Sequence, residues 1–529
     1  MNIIMALIFS PVLFGIVFYV FRLTKPYAIV ISQGIIFVFA LFTFLDTRAV
    51  GARSYVVGGW SIGKGVGIYL DTLSASMILL TAFLFFLLLI HEWNSIESKI
   101  VYIFLLFALE SLLFALFVSY DLFNIFVLME VSTILVTILI IFKKKAKSYY
   151  DGLIYLLINI IGMSFFLFGV GYVYRMYGVY DLNLLKEALV VVPESSSSVI
   201  MYALLMTGIT LKIGAVPVFT WLPRAHGSQS APSIVSAILS GIYINIVFIY
   251  FIRLQDVFSV MFDTRILFLI IGLLTAFVGG FLALVQEDIK KLLGYSTVSQ
   301  IGFILIGLNV ADSVPFYGSA YHIFSHSFFK ALLFLIAGVL IEQYKTRKLS
   351  EIRGVFNKTP LVGVCTILGI LGITGAPFFN GSIGKYLIST SAESFFLEII
   401  MYGINFLTIL YLAKFSMILY GRGEREKIET PKAIVFVVLG VICLMGGIMA
   451  PAFMNMFFRY ELYINTASYL SKAFIYILSV LVGFFVYKKI LHKSEVLNFI
   501  RHIEVSFNFI VVMIFVLFVS ITGFIYITH

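Results

Sequence analysis

The sequence predicts an all-α integral membrane protein of about 14–16 transmembrane helices, and three observations carry that prediction. Of its 529 residues, 61% are apolar and only 12% are charged, well beyond the roughly half-apolar usage of soluble domains. Apolar runs of about 20 residues, the length a helix needs to cross a hydrocarbon core of roughly 30 Å, recur from end to end. The basic residues between those runs alternate between rich and poor loops, as the positive-inside bias requires. The remaining loops are too short for a separate soluble domain.

In chain order the runs fall at about 2–21, 27–45, 70–90, 100–119, 121–142, 152–174, 199–222, 230–252, 265–286, 295–310, 320–341, 360–390, 399–420, 432–455, 467–487 and 506–528. The run at 295–310 is the shortest, and 360–390 is long enough to be bent. Arg22 and Lys25 follow the first run and no basic residue precedes it, so it reads as an uncleaved anchor with its N-terminus outside. Inside loops then carry Lys143–Lys147, Lys290 and Lys291, the cluster Lys345–Lys358, the charges Arg422–Lys432, and Lys488–Arg501. Of the 36 Lys and Arg residues, about 23 fall inside and about 9 outside. An even number of spans puts His529 outside too. The expectation is a multi-pass protein of a prokaryotic plasma membrane with both termini outside.

Four lysines, Lys212, Lys330, Lys385 and Lys414, lie within spans. A lysine at a helix centre costs roughly 2.5–3.5 kcal/mol on insertion scales, which marks it as a paired or hydrated functional group. The alternative is snorkelling of the long stem to the interface, and Lys414, near the inside end of its span, fits that alternative best. Acids within spans are scarcer: Glu110 and Glu130. A buried carboxylate must be protonated or find a cation, and Lys212 is the candidate partner of Glu130.

Lys212 sits in TLKIGAVPVFTWLPRAHG, where Pro217 removes a backbone hydrogen bond and breaks the helix. In ITGAPFFNGSIGKYLI a second break at Gly375–Pro377 precedes Lys385. Irregular backbone at membrane depth survives only where protein or a water-filled cavity covers it. Two interrupted spans, each with a buried lysine, suggest inverted repeats around ion sites near the midplane. Between them His322, His326 and Lys330 follow at i, i+4 and i+8, forming a polar stripe along about 12 Å of helix. Histidine titrates near neutrality, which suits a relay; the alternative is that these histidines hydrogen-bond neighbouring helices.

The segments YDLFNIFVLMEVSTI, TLKIGAVPVFTWLPRAH, DIKKLLGYSTVSQIGFILIG, SHSFFKALLFLIAG and GAPFFNGSIGKYLI together resemble the antiporter-like family. That family comprises the proton-pumping membrane subunits of respiratory complex I, the large subunits of Mrp Na⁺/H⁺ antiporters, and their counterparts in membrane-bound hydrogenases. The likeness covers about residues 70–425, and the DLFN segment leans towards the Mrp and hydrogenase members. It implies two inverted five-helix repeats at about 100–252 and 265–420, with N-terminal helices over 1–99 and C-terminal helices over 432–529. It also implies a hydrophilic axis along the membrane plane. Glu130 would modulate Lys212, His326 and Lys330 would form the centre, and Lys385 would be the terminal site. One position departs from the pattern: where relatives commonly carry a lysine eight residues before an arginine, here Arg253, this chain has Asn245. Asparagine hydrogen-bonds water but holds no proton charge, so the axis is water-mediated or interrupted there. The runs 467–487 and 506–528 lie beyond the usual fourteen.

Absences narrow the driving force. There is no GxxxxGK[ST] phosphate loop. Cys365 and Cys443 are the only cysteines, without a CxxC motif or a ligand cluster, so no cofactor, metal or catalytic site is expected in the chain itself. The net charge of +10 reflects inside loops that face anionic lipid and partner subunits rather than nucleic acid. The leading expectation is a subunit that translocates protons, alone or in exchange for Na⁺, within a multi-subunit redox-driven complex such as a membrane-bound hydrogenase or complex I relative. One alternative is an Mrp-type antiporter component powered by ion gradients. Another is a mainly structural subunit whose path is interrupted at Asn245, although tolerating the insertion cost of Glu130, Lys212 and Lys385 argues against it.

Overall fold

A computed structural model describes residues 2–60, 65–191, 194–227, 231–310, 313–390, 394–491, 497, 500, 501 and 505–528; the expectation for His529 falls outside the described residues. Among the described residues, 15 helices are long and apolar enough to cross a membrane, and they follow the predicted order. Large apolar side chains such as Ile31, Phe42, Phe168 and Phe277 stand exposed on helix surfaces. That is the outer face of a protein solvated by hydrocarbon, and the chain is an all-α integral membrane protein.

Three spans differ from their predicted form for identifiable reasons. The short run at 295–310 is a full helix, Ile289–Asn309, because the Asp288 carboxylate accepts from the backbone N–H groups of Lys290 and Lys291 and starts the helix there. The run at 199–222 is helical only as Ser196–Ile213, and a short helix, Trp221–Gly227, follows. The run at 360–390 is two helices, Pro360–Thr374 and Asn380–Thr390, each too short to span alone. Two elements were not anticipated: a two-stranded antiparallel hairpin, Arg53–Val56 against Gly67–Leu70, with Arg53 opposite Leu70, and a short helix, Leu182–Val191.

The chain forms two compact units. The first comprises Met1–Ile213, Tyr243–Thr264 and Val511–His529. Its spans Thr72–His91 and Leu122–Ile141 start at aspartate caps, with Asp71 accepting from the Ser74 N–H at 2.7 Å and Asp121 from the Asn124 N–H at 2.8 Å. Arg253 ties Ile244–Phe258 to this frame by donating to the Ser119 carbonyl at 3.2 Å and to Ser74 Oγ at 2.8 Å.

The second unit comprises Gly214–Ile242 and Arg265–Ile510. Here Lys414 does not snorkel freely. Its ammonium pairs with Glu287 at 2.9 Å and donates to the Leu284 carbonyl at 3.0 Å, while Arg501 donates to the Val285 carbonyl at 3.0 Å. Both cations close the carbonyl end of the helix Arg265–Val285, where the helix dipole is negative. Lys414 is therefore part of a helix-end ion pair.

Candidate ion-translocation sites

In the first unit the site is built around Lys212, fully buried on the last turn of Ser196–Ile213. Its ammonium donates to Thr133 Oγ1 and, at 3.4 Å, to the Tyr243 hydroxyl, whose ring centroid lies 5.8 Å away. The Thr133 hydroxyl donates its own hydrogen bond to the Met129 carbonyl at 2.7 Å, and the Tyr243 hydroxyl lies 3.0 Å from Ser132 Oγ. Lys212 thus meets hydroxyl oxygens, and no ion pair within 4.0 Å joins it to Glu130 among the described residues. Glu130 is half-buried three residues before Thr133 on the same helix, close enough to attract Lys212 electrostatically, with Oε1 free of protein hydrogen bonds. In place of a direct pair, Thr133 connects the lysine to the turn that carries the carboxylate. Asn245 is 1% exposed, two residues beyond Tyr243. Glu110 is fully buried and accepts from Gln33 Nε2 at 2.6 Å.

In the second unit His322, His326 and Lys330 lie buried along Ser313–Tyr344. Lys330 donates to the Leu293 carbonyl at 2.9 Å and to Ser296 Oγ, both on Ile289–Asn309. One turn along that helix from Ser296, Gln300 Oε1 lies 3.0 Å from His322 Nε2. The polar stripe on one helix therefore faces a polar stripe on the other. His326 meets the Phe329 ring edge-on at 5.4 Å, and neither of its ring nitrogens has a protein hydrogen-bond partner. His226 is also fully buried, stacked at 4.7 Å on Phe334, the ring that lies 5.9 Å from the Lys330 ammonium. Phe334 thus brings His226 beside Lys330.

Lys385 lies just beyond the break in the second interrupted span. It donates to the Ile373 carbonyl at 2.7 Å and to Asn405 Oδ1 at 2.8 Å. Ile373 belongs to the last turn of Pro360–Thr374, whose carbonyls lack intrahelical partners and form the negative end of the helix dipole. The break supplies both the acceptor and the room. Gly375 has φ 76°, and a Cβ there would lie 2.9 Å from Lys385 Cδ. Gly384 has the same spatial logic, since its Cβ would meet His322 Cβ at 2.8 Å; its absence lets the helix of Lys385 lie against that of His322. The Phe303 ring stands between them, 5.6 Å from the Lys385 ammonium and 5.8 Å from the His322 ring. A cavity of about 70 Å³ opens beside Lys385, with Ser382, Asn405, Tyr402, Tyr469 and Lys472 as polar groups in a largely apolar lining, and it is large enough for ordered water.

Pro217 and Pro377 both fall in the non-helical stretches, 214–220 and 375–379. Several partners had no local signal. Thr133, Tyr243, Ser296, Gln300 and Asn405 are polar residues scattered through apolar runs, and only tertiary packing shows that they hold lysines and histidines. His226 stood within the quoted TWLPRAH motif, and its burial beside a break is the feature that distinguishes it. Lys472 had the charge but fell near the end of a span, where a lysine needs no explanation.

Comparisons with known proteins show what the chain is similar to. Residues 119–411 match the family described as NADH:quinone oxidoreductase/Mrp antiporter, transmembrane. The NADH-quinone oxidoreductase subunit N of Desulforudis audaxviator is 29% identical over 354 residues, 63% of this chain and 68% of that protein. A Na⁺/H⁺ antiporter subunit of Alkalihalophilus pseudofirmus is 25% identical over 402 residues, 74% of this chain and 80% of that protein. Among solved structures, a chain of an archaeal respiratory membrane complex, the membrane-bound sulfane sulfur reductase, superposes with a TM-score of 0.79 over 91% of this chain and 99% of its own, at 21% identity. Every residue from Glu130 to Lys385 discussed above lies inside the matched segment.

Proposed function

This chain belongs to the NADH:quinone oxidoreductase/Mrp antiporter transmembrane family, and we propose that it is the ion-translocating, antiporter-like subunit of a multi-subunit membrane complex, moving protons alone or in exchange for Na⁺. One observation carries the reading. Lys212, Lys330 and Lys385 are buried and held only by hydroxyl, carbonyl or amide oxygens, with no carboxylate in an ion pair to any of them among the described residues. Lys414, by contrast, is locked by Glu287. A lysine without a fixed counter-ion can lose and regain its proton without abandoning a buried carboxylate, whereas breaking a buried pair costs about 3–5 kcal/mol. Neutral oxygens serve the ammonium and the amine alike.

In this reading Glu130 acts on Lys212 through its field, His322, His326 and Lys330 form the central relay, and Lys385 is the terminal site. The inverted repeats over 100–252 and 265–420 belong to the same proposal, with Lys212 and Lys385 at corresponding broken helices. The inside loops, including Lys147 and Lys348, face the cytoplasm. The complex is redox-driven; the gradient-driven alternative draws support from the likeness to the Na⁺/H⁺ antiporter protein of Alkalihalophilus pseudofirmus, of which this chain spans 80%.

The test is to isolate the complex through this chain, identify the co-purifying membrane subunits and any redox centres, and follow internal pH in reconstituted vesicles. Proton uptake on adding an electron donor supports the redox-driven form, and uptake or release on a Na⁺ pulse alone supports the antiporter form. A chain that purifies without partners and moves no protons under either drive refutes both.

A further inference from the structure

The helix Thr466–Val486 lies outside the matched segment 119–411, and only 6% of its candidate span is buried, so much of it lies at the protein surface. A lysine on such a helix would ordinarily reach for the interface. Lys472 does the reverse. Its side chain is 15% exposed and turns into the protein, where the ammonium donates to Ser389 Oγ at 2.6 Å and lies 3.6 Å from Glu398 Oε1. The rings of Tyr386 and Tyr402 flank it at 5.4 and 6.0 Å, and the Tyr402 hydroxyl donates to the same Glu398 oxygen at 3.0 Å. Lys472 lines the cavity that also holds Lys385. The Glu398 side chain is 33% exposed and that of Lys472 15%, and Lys385 is buried. The set leads from solvent to the terminal lysine.

We propose that Lys472 and Glu398 form a proton-transfer station through which Lys385 exchanges protons with water at the outer membrane face. This rests on the reading of Lys385 as a proton carrier. The transfer is balanced in protons and moves no electrons. The Lys472 ammonium gives a proton to water in the cavity and that water passes one to the Lys385 amine; the Glu398 carboxylate then accepts a proton from a hydronium ion at the surface and hands it to the Lys472 amine, which leaves Glu398 ionised again, and release runs in reverse. Among the described residues the groups facing Lys472 are Glu398, Ser389, Tyr386, Tyr402 and, across the cavity, Lys385, so of these Glu398 is the acid that can compensate its charge. The helix Thr466–Val486 thereby completes the terminal site with a residue that the matched segment does not contain.

Proton flux in vesicles holding the native complex, measured across a pH series, tests this with four variants. Lys472→Met should lower flux at least tenfold and shift the pH of half-maximal flux. Lys472→Arg keeps the charge and the ring contacts but does not release its proton near neutrality, so it should be as impaired. In parallel, a membrane-impermeant sulfonated thiol reagent attached from outside at Ile475→Cys, on the cavity lining, should arrest flux. Wild-type flux in Lys472→Arg assigns Lys472 a charge or packing role and overturns the proposal. A wild-type rate and pH profile in Lys472→Met, or unaltered flux after full labelling of Ile475→Cys, overturns it as well, even if Lys472→Met fails to assemble. Lys385→Ala separates the two levels: with it inactive, those outcomes refute only the station, and with it fully active the reading of Lys385 falls and the station with it.

Discussion

Replacing Lys330 by methionine separates a transporting lysine from a structural one. The side chain is fully buried, and a lysine at helix centre costs roughly 2.5–3.5 kcal/mol on insertion scales. Its hydrogen bonds to the Leu293 carbonyl and Ser296 Oγ return about 1.5–3 kcal/mol each as bonds to a charged group. Removing the ammonium leaves neither acceptor stranded, because the Leu293 carbonyl still receives Ser296 Oγ at 2.8 Å and Thr297 Oγ1 at 3.0 Å. Methionine matches the lysine stem in length and suits an apolar interior. Together the two hydrogen bonds return about 3–6 kcal/mol and offset most or all of the insertion cost, so Lys330→Met should destabilise by no more than about 3 kcal/mol. Proton flux should nevertheless fall at least tenfold. Thermal unfolding in detergent, followed by size-exclusion chromatography, reads the first quantity, and acidification of reconstituted vesicles reads the second. Wild-type flux would refute the relay. So would destabilisation beyond about 3 kcal/mol with loss of the complex, the signature of a broken buried ion pair.

Three further predictions concern separate parts of the chain. Asn245→Leu removes a buried hydrogen-bonding station and should slow proton flux severely if the axis runs through water there; an unchanged flux would show the path to be interrupted at this position. Gly384→Ala places a methyl group 2.8 Å from His322 Cβ and 3.0 Å from the Gly318 carbonyl, so it should cost about 1–3 kcal/mol of stability and reduce flux with it, whereas an unaltered unfolding midpoint would contradict the close helix contact. At the helix end outside the membrane, burial works against the charge on Glu92, but His91, whose Nδ1 lies 3.6 Å away, and the Lys99 ammonium at 2.8 Å outweigh it and hold the carboxyl well below the usual carboxylate range. Because that folded value is depressed, the stabilisation is complete above the unfolded carboxylate value and is lost as pH falls through the folded one. Glu92→Gln should therefore lower the unfolding midpoint at neutral pH, by a margin that shrinks below about pH 4; a margin independent of pH would contradict it.

The spans and their breaks were legible because each rests on local chemistry. Apolar length sets a span, and Pro217 or the Gly375–Pro377 pair ends a helix wherever the surrounding fold lies. The start of Ile289–Asn309 was missed because Lys290 and Lys291 look like a loop; the Asp288 cap and the bond from Lys290 Nζ to the Ala231 carbonyl at 2.8 Å absorb them into a first helical turn. The lysines of the site were visible because charge in an apolar run is conspicuous. Their partners were not. Lys212 selects Thr133, 79 residues away, rather than Glu130, and no periodicity distinguishes one polar residue of that turn from the next. Lys472 illustrates the same limit, since its role depends on a cavity assembled from helices far apart in sequence.

The central claim, that buried lysines without carboxylate ion partners carry protons, is tested most directly at Lys212. Proton flux into sealed vesicles should be compared for the native complex and the Lys212→Met variant at matched amounts of assembled complex and under the same driving force. Flux at least tenfold lower in the variant at every pH, with the full set of subunits still present, is the result expected. An intact complex carrying Lys212→Met and pumping at the native rate would contradict it.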